Sequence, residues 1–122
     1  MTTNNISMRR ILLSFKNAWT GICLIGRKER NFKIHLFLFA LVIAMGIYFR
    51  ISSSEWLFII LFSALVLSLE AINSAIEKTC DLITKEENAS VKNIKDIAAG
   101  AVLIASILAL VGGIAIFGRH LF

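Results

Sequence analysis

Residues 55–83, EWLFIILFSALVLSLEAINSAIEKTCDLI, decide how this chain is read. Positions 56–69 form an unbroken apolar run, and neither Pro nor Gly separates them from the mixed segment that follows. Good helix formers continue to Ile83, so the stretch reads as one helix over about 55–83. Its first half suits hydrocarbon. Its second half carries Glu70, Asn73, Ser74, Glu77 and Asp81, at offsets of 0, 3, 4, 7 and 11 that place all five on one helix face. An acid at or just below the edge of a bilayer costs on the order of 3 kcal/mol unless it is paired or solvated.

The same reading extends outward on both sides. Residues 34–49, IHLFLFALVIAMGIYF, are apolar apart from His35 and Tyr48. With Lys33 snorkelling to the headgroups they make a span over about 32–50. Residues 50–55, RISSSE, are a polar reversal, and 84–94, TKEENASVKNI, a polar connection. A further helix follows over about 91–117, with a 21-residue apolar run in which Ala98, Ala99, Gly100, Ala101, Gly112 and Gly113 offer small surfaces for close packing. Before the first span, Asn5 or Ser7 is expected to cap a helix over about 7–26, after a frayed polar stretch at 1–6. There Ile11, Phe15, Ala18, Trp19 and Ile22 recur at helical spacing among Arg9, Arg10, Lys16 and Asn17, the pattern of an amphipathic helix lying in a membrane interface. A charged turn, RKERNFK at 27–33, carries Glu29.

Composition agrees with this division. The 122 residues are 57% hydrophobic and lack proline, and 17% are charged where soluble domains carry about 25%. Mean hydropathy is +0.79. The expected architecture is an all-α integral membrane protein: an interfacial helix plus three transmembrane helices in a single domain, 1–122. No secretory signal peptide is evident. The net charge of +5 would fit nucleic acid, but the apolar blocks favour a membrane protein with basic residues on its inner side. Of the 13 basic residues only Arg50 and Arg119 fall on the other side, so the N-terminus and the 78–96 loop are expected in the cytoplasm, beneath a cell (inner or plasma) membrane. Cys23, Cys80, His35 and His120 have no zinc-ligand spacing.

Glu29, Lys95 and Asp96 fall at the same membrane level as the face of Glu70. Carboxylates without a His or Cys partner suit a hard cation such as magnesium, which takes one or two of them together with substrate phosphates. Basic groups nearby suit phosphate oxygens, and a carboxylate set deeper than its neighbours suits a general base. Such a layer fits phosphoryl transfer to a hydroxyl at the membrane surface. Two other readings of the same residues stay open: a non-enzymatic membrane subunit with its acids as interhelical glue, and a proton or ion conductor built on Glu70.

The segment E-A-I-N-S-A-I-E-K-T-C-D at 70–81, with K-D-I-A-A-G-A-V at 95–102, closely resembles the bacterial membrane-embedded diacylglycerol kinase family. Glu29-Arg30-Asn31 with His35, the Glu55-Trp56-Leu57 entry and the Ala-Ala-Gly run after Asp96 look most like its undecaprenol kinase branch. The resemblance covers nearly the whole chain. It implies a homotrimeric helical bundle with active sites shared between protomers, magnesium as cofactor, and MgATP and a membrane lipid alcohol as substrates. Undecaprenol is favoured over diacylglycerol as the acceptor. By position, Glu70 matches the general base and a substrate contact, and Glu29 and Glu77 the magnesium ligands. Arg10, Asn17, Glu29, Glu77, Glu86, Glu87, Lys95 and Asp96 match the nucleotide side. Arg10 and Ala99 match substrate contacts, Ala99 standing where the diacylglycerol branch has serine. Asn73, Ser74 and Asp81 support the site. Soluble-kinase signatures are absent from the sequence.

Overall fold

The computed structural model describes residues 2–122, and those residues form four helices: α1 (Thr2–Lys28), α2 (Arg30–Phe49), α3 (Ser53–Ile83) and α4 (Ala89–Leu121). Among the described residues there is no strand. The N-terminal helix starts earlier than the expected cap at Asn5 or Ser7. Thr2–Ile6 contain neither Gly nor Pro, so nothing local stops the helix from extending back through them. Met1, the first residue of the expected frayed stretch, lies outside the described residues.

α2, α3 and α4 are each long and apolar enough to cross a membrane. The 31 residues of α3 run roughly 46 Å at the helical rise, well beyond a hydrocarbon core of ~30 Å. One end of α3 therefore projects past the apolar layer, and that end carries Glu70 to Asp81. Phe37, Ile47, Leu57, Leu61, Leu103, Leu110 and Ile114 are exposed around the bundle, as lipid-facing side chains are and as a water-soluble surface is not.

Three local devices set the turns. Glu29 takes an extended backbone (φ −99°, ψ 115°) between α1 and α2, which breaks the helix where a lone acid interrupts a basic run. Arg50 closes α2 in the left-handed region (φ 51°, ψ 54°), with its N–H donating to the Ile47 carbonyl and that of Ile51 to the Gly46 carbonyl. A non-glycine residue in that region costs roughly 1–2 kcal/mol, offset by the two backbone hydrogen bonds. Ser52 and Glu55 then form a reciprocal capping box at the start of α3, and Asn88 Oδ1 caps α4 by accepting from the Ser90 and Val91 N–H groups.

α3 and α4 form the most extensive helix pair, while α1 touches its neighbours lightly. The pair is antiparallel: Lys95 meets Asp81 at one end and Arg119 meets Glu55 at the other. Gly112 is the close approach, because a Cβ there would meet the ring of Phe58. Gly46 is another; its Cβ would lie 2.6 Å from Trp56 Cη2. Ile51, Ile59, Ile116 and Phe117 form the hydrophobic core, with Met45, Phe49, Trp56 and Phe58 packed around them. This core sits at the Glu55 end, where two helix turns and the chain's C-terminal residues meet. Among the described residues the Glu70 end has no comparable cluster.

Candidate functional site

At the Glu70 end the polar residues of three helices gather. Glu70 is buried, 4% exposed, one turn from the buried Asn73 and Ser74. Across from it on α2, His35 Nε2 lies 3.7 Å from Glu70 Oε2. Glu29, held at the α1–α2 break, takes an ion pair from Lys78 Nζ at 3.3 Å. Glu77, next to Lys78 on α3, and Glu29 are both near enough for their charges to act on Glu70. Three carboxylates, a histidine and a lysine thus occupy one region between α2, α3 and the break before α2.

A second group continues the same face toward α4. Lys95 Nζ donates to Asp81 Oδ1 at 2.8 Å, and Glu77 lies within electrostatic reach of Lys95. Glu77 therefore stands between the two groups and joins them into one charged layer, as the helical offsets of α3 require. Asn73 Oδ1 within this layer is buried, with no hydrogen-bond partner among the described residues. A buried acceptor left unpaired costs about 1–3 kcal/mol, so this amide oxygen has capacity for a donor from a ligand.

Other residues picked out from the sequence are not tied to this layer by any ion pair or hydrogen bond among the described residues. Asp96 pairs with Lys92, one turn back on its own helix, at 2.6 Å, and Ala99 is exposed on α4. Glu86 and Glu87 are exposed in the connection before Asn88. Arg10 and Asn17 are exposed on α1, and among the described residues their side chains make no ion pair or hydrogen bond. The light packing of α1 gives them no fixed approach to Glu29.

Beside the layer runs an apolar groove of about 710 Å³ between α1, α2 and α3, floored by small residues that include Gly21, Gly26, Ala71 and Ala75. Ser74 and Lys78 line it as well, so the groove opens onto the charged layer. An alkyl or prenyl chain fits such a lining, and its polar head would then face Ser74 and Lys78.

The donor set suits magnesium better than a transition metal. Among the described residues no group of three or more His, Cys, Asp and Glu forms a ready-made metal cage. Magnesium does not require one, since it takes one or two carboxylates and completes its octahedron with phosphate and water oxygens. Glu29 and Glu77 supply two carboxylates at the edge of the layer, where a polyphosphate can reach from water. Glu29 keeps a mobile lysine as its counter-charge; Lys78 is half exposed.

Two contacts were not read from the sequence. His35 appeared there as a polar residue in a span, and Lys78 as one basic residue among several. An ionisable group inside an apolar span is itself a signal of function, but nothing local to either residue names its partner on another helix.

The chain is similar to known proteins along most of its length. The family model described as prokaryotic diacylglycerol kinase matches residues 16–117. The undecaprenol kinase of Bacillus subtilis (strain 168) is 38% identical over 110 residues, covering 90% of this chain and 89% of that protein. The diacylglycerol kinase of Synechocystis sp. is 36% identical over 104 residues, covering 84% of this chain and 59% of that protein.

Proposed function

Because the chain belongs to the prokaryotic diacylglycerol kinase family, a family of lipid kinases, we propose that it moves the γ-phosphoryl group of MgATP onto the hydroxyl of a membrane lipid alcohol. The observation that carries this reading is the gathering of buried Glu70 with His35, and of Glu29 with Lys78, next to an apolar groove lined by Ser74 and Lys78. The first-choice acceptor is undecaprenol, because the undecaprenol kinase relative matches over nearly its whole length. Diacylglycerol is the second.

The roles follow from depth. Glu70, the most enclosed acid of the layer, takes the acceptor's proton as its oxygen attacks phosphorus. Its desolvated setting suits a base that must hold a proton briefly and release it. Glu29 and Glu77, nearer to water, would hold a magnesium ion, which would supply neutralisation of charge on the phosphate oxygens. Lys78 and Lys95 would face phosphate oxygens. Asn73 and Ser74 orient the acceptor hydroxyl, and Asp81 holds Lys95 in place.

Arg10, Asn17, Glu86, Glu87, Asp96 and Ala99 complete the nucleotide and acceptor contacts in this reading. The exposure of Arg10, Asn17, Glu86 and Glu87 in a single chain supports a homotrimer in which one protomer's residues meet the next protomer's layer. α1 lies along the cytoplasmic interface, with Phe15 and Trp19 toward lipid. The charged layer faces the cytoplasm of a bacterial inner membrane, where ATP is available.

The direct test is transfer of label from γ-labelled ATP with magnesium to undecaprenol and diacylglycerol, offered side by side to the purified protein in detergent. Labelled undecaprenyl phosphate is the expected main product. No labelled lipid from either acceptor, with folded protein, would remove the assignment.

A further inference from the structure

Glu70 has one close chargeable neighbour. Among the described residues no donor is within hydrogen-bond distance of its carboxylate; what faces it is His35 Nε2 at 3.7 Å. Its other charged surroundings, Glu29 and Glu77, are of like sign. The two side chains also differ in exposure: that of Glu70 is 5% exposed and that of His35 is 22% exposed. A carboxyl group that has taken a proton in so enclosed a place must lose it before the next turnover, and the imidazole 3.7 Å away is the more exposed of the two groups.

We propose that His35 is the second member of a proton relay: its Nε2, free to accept when the ring proton sits on Nδ1, takes the proton that Glu70 has taken from the lipid hydroxyl. This rests on Glu70 being the base. In the first step the acceptor O–H bond breaks, its proton goes to Glu70, and the new O–P bond forms. The bridging P–O bond breaks with its electron pair leaving on ADP. In the second step the Glu70 carboxyl passes the proton to the neutral Nε2 of His35, and the imidazolium releases it to water. The present 3.7 Å separation has to shorten by somewhat under ~1 Å to reach hydrogen-bond length. Such contacts commonly tighten when substrates bind. His35 acts through Glu70 and is a positioning and relay residue.

The test uses the full-length enzyme in mixed micelles with MgATP and undecaprenol, comparing His35→Gln, His35→Ala and Glu70→Gln. Gln keeps polarity and approximate length but cannot accept the proton. A relay predicts that His35→Gln lowers kcat by about 10-fold or more, with KM for ATP changed less than about 2-fold. Free imidazole should raise the rate of His35→Ala several-fold, in proportion to its unprotonated form, and should not raise that of Glu70→Gln. Loss of rate in both His35 variants without imidazole rescue would leave His35 an orienting group and overturn the relay. Full kcat in His35→Gln, with Glu70→Gln slowed about 100-fold, would overturn it and leave Glu70 as base. Full kcat in all three variants would remove the Glu70 reading itself. Should His35→Ala fail to fold, the kcat of His35→Gln decides.

Discussion

The two ends of the α3–α4 pair each bury a glutamate, and the two are treated very differently. At one end Glu55 accepts from the Ser52 N–H at 3.0 Å and from Arg119 at 2.9 Å, with His120 Nε2 at 3.4 Å. The His120 ring also lies against Phe49, with centroids 6.1 Å apart. That carboxylate is saturated and stands beside the hydrophobic core. At the other end Glu70 has one imidazole at 3.7 Å, two like charges near it and an unpaired amide oxygen one turn away. A structural charge is surrounded until nothing is left to bind; a working charge keeps capacity for a substrate. The same residue type on one helix therefore serves as a clasp at one end and, in the proposed reading, as a site at the other.

The largest effect should come from the working end. Glu70→Gln preserves shape but removes the base, and is expected to lower turnover about 100-fold or more, with assembly and thermal midpoint close to wild type. A melting curve run beside the lipid-kinase assay checks both halves. An equally large loss of stability would make Glu70 a second clasp and erase the contrast.

Next in size is packing at the clasp end. Gly112→Ala would drive a methyl group into the Phe58 ring, so the helices must separate or the ring must leave its place. Overpacking of this kind costs about 1–3 kcal/mol. Detergent-resistant melting should show it as a lower midpoint, with kcat per folded enzyme little changed.

The smallest predicted effect is that of Glu55→Gln. It removes the charge that Arg119 faces, but Arg119 is largely exposed and a surface-exposed partner contributes modestly. The melting midpoint should drop by a few degrees while kcat and the KM for ATP stay the same. A fall in kcat would couple the two ends and blur the distinction between them.

Much of the fold is legible in the sequence because membrane spans and helix faces are local patterns. The apolar runs at 34–49, 56–69 and 97–117 mark the spans, and the single face from Glu70 to Asp81 follows from the helical period alone. Contacts between helices are a different matter. His35 and Glu70 meet across α2 and α3, Lys78 and Glu29 across α3 and the break before α2, and Arg119 and Glu55 across 64 positions. Apolar helix faces slide and rotate with little change in pattern, so the register that pairs these residues depends on close approaches such as Gly112 against Phe58. The expected nucleotide contacts Arg10, Asn17, Glu86 and Glu87 came from a resemblance between whole chains, and a lone chain does not draw them to Glu77. The start of α1 was hidden for another reason: a polar stretch looks like a frayed end, although its residues contain nothing that breaks a helix.

The most direct test of shared magnesium ligation is a double-mutant cycle on Glu29 and Glu77. The apparent magnesium affinity would be measured in the wild type, Glu29→Gln, Glu77→Gln and the double variant, from the magnesium dependence of phosphoryl transfer and from manganese binding followed by electron paramagnetic resonance. Two carboxylates on one ion predict strong non-additivity, with a coupling of about 1 kcal/mol or more and a double variant scarcely worse than either single one. Additive losses, or a magnesium dependence that neither substitution moves, would mean that the two acids do not share an ion.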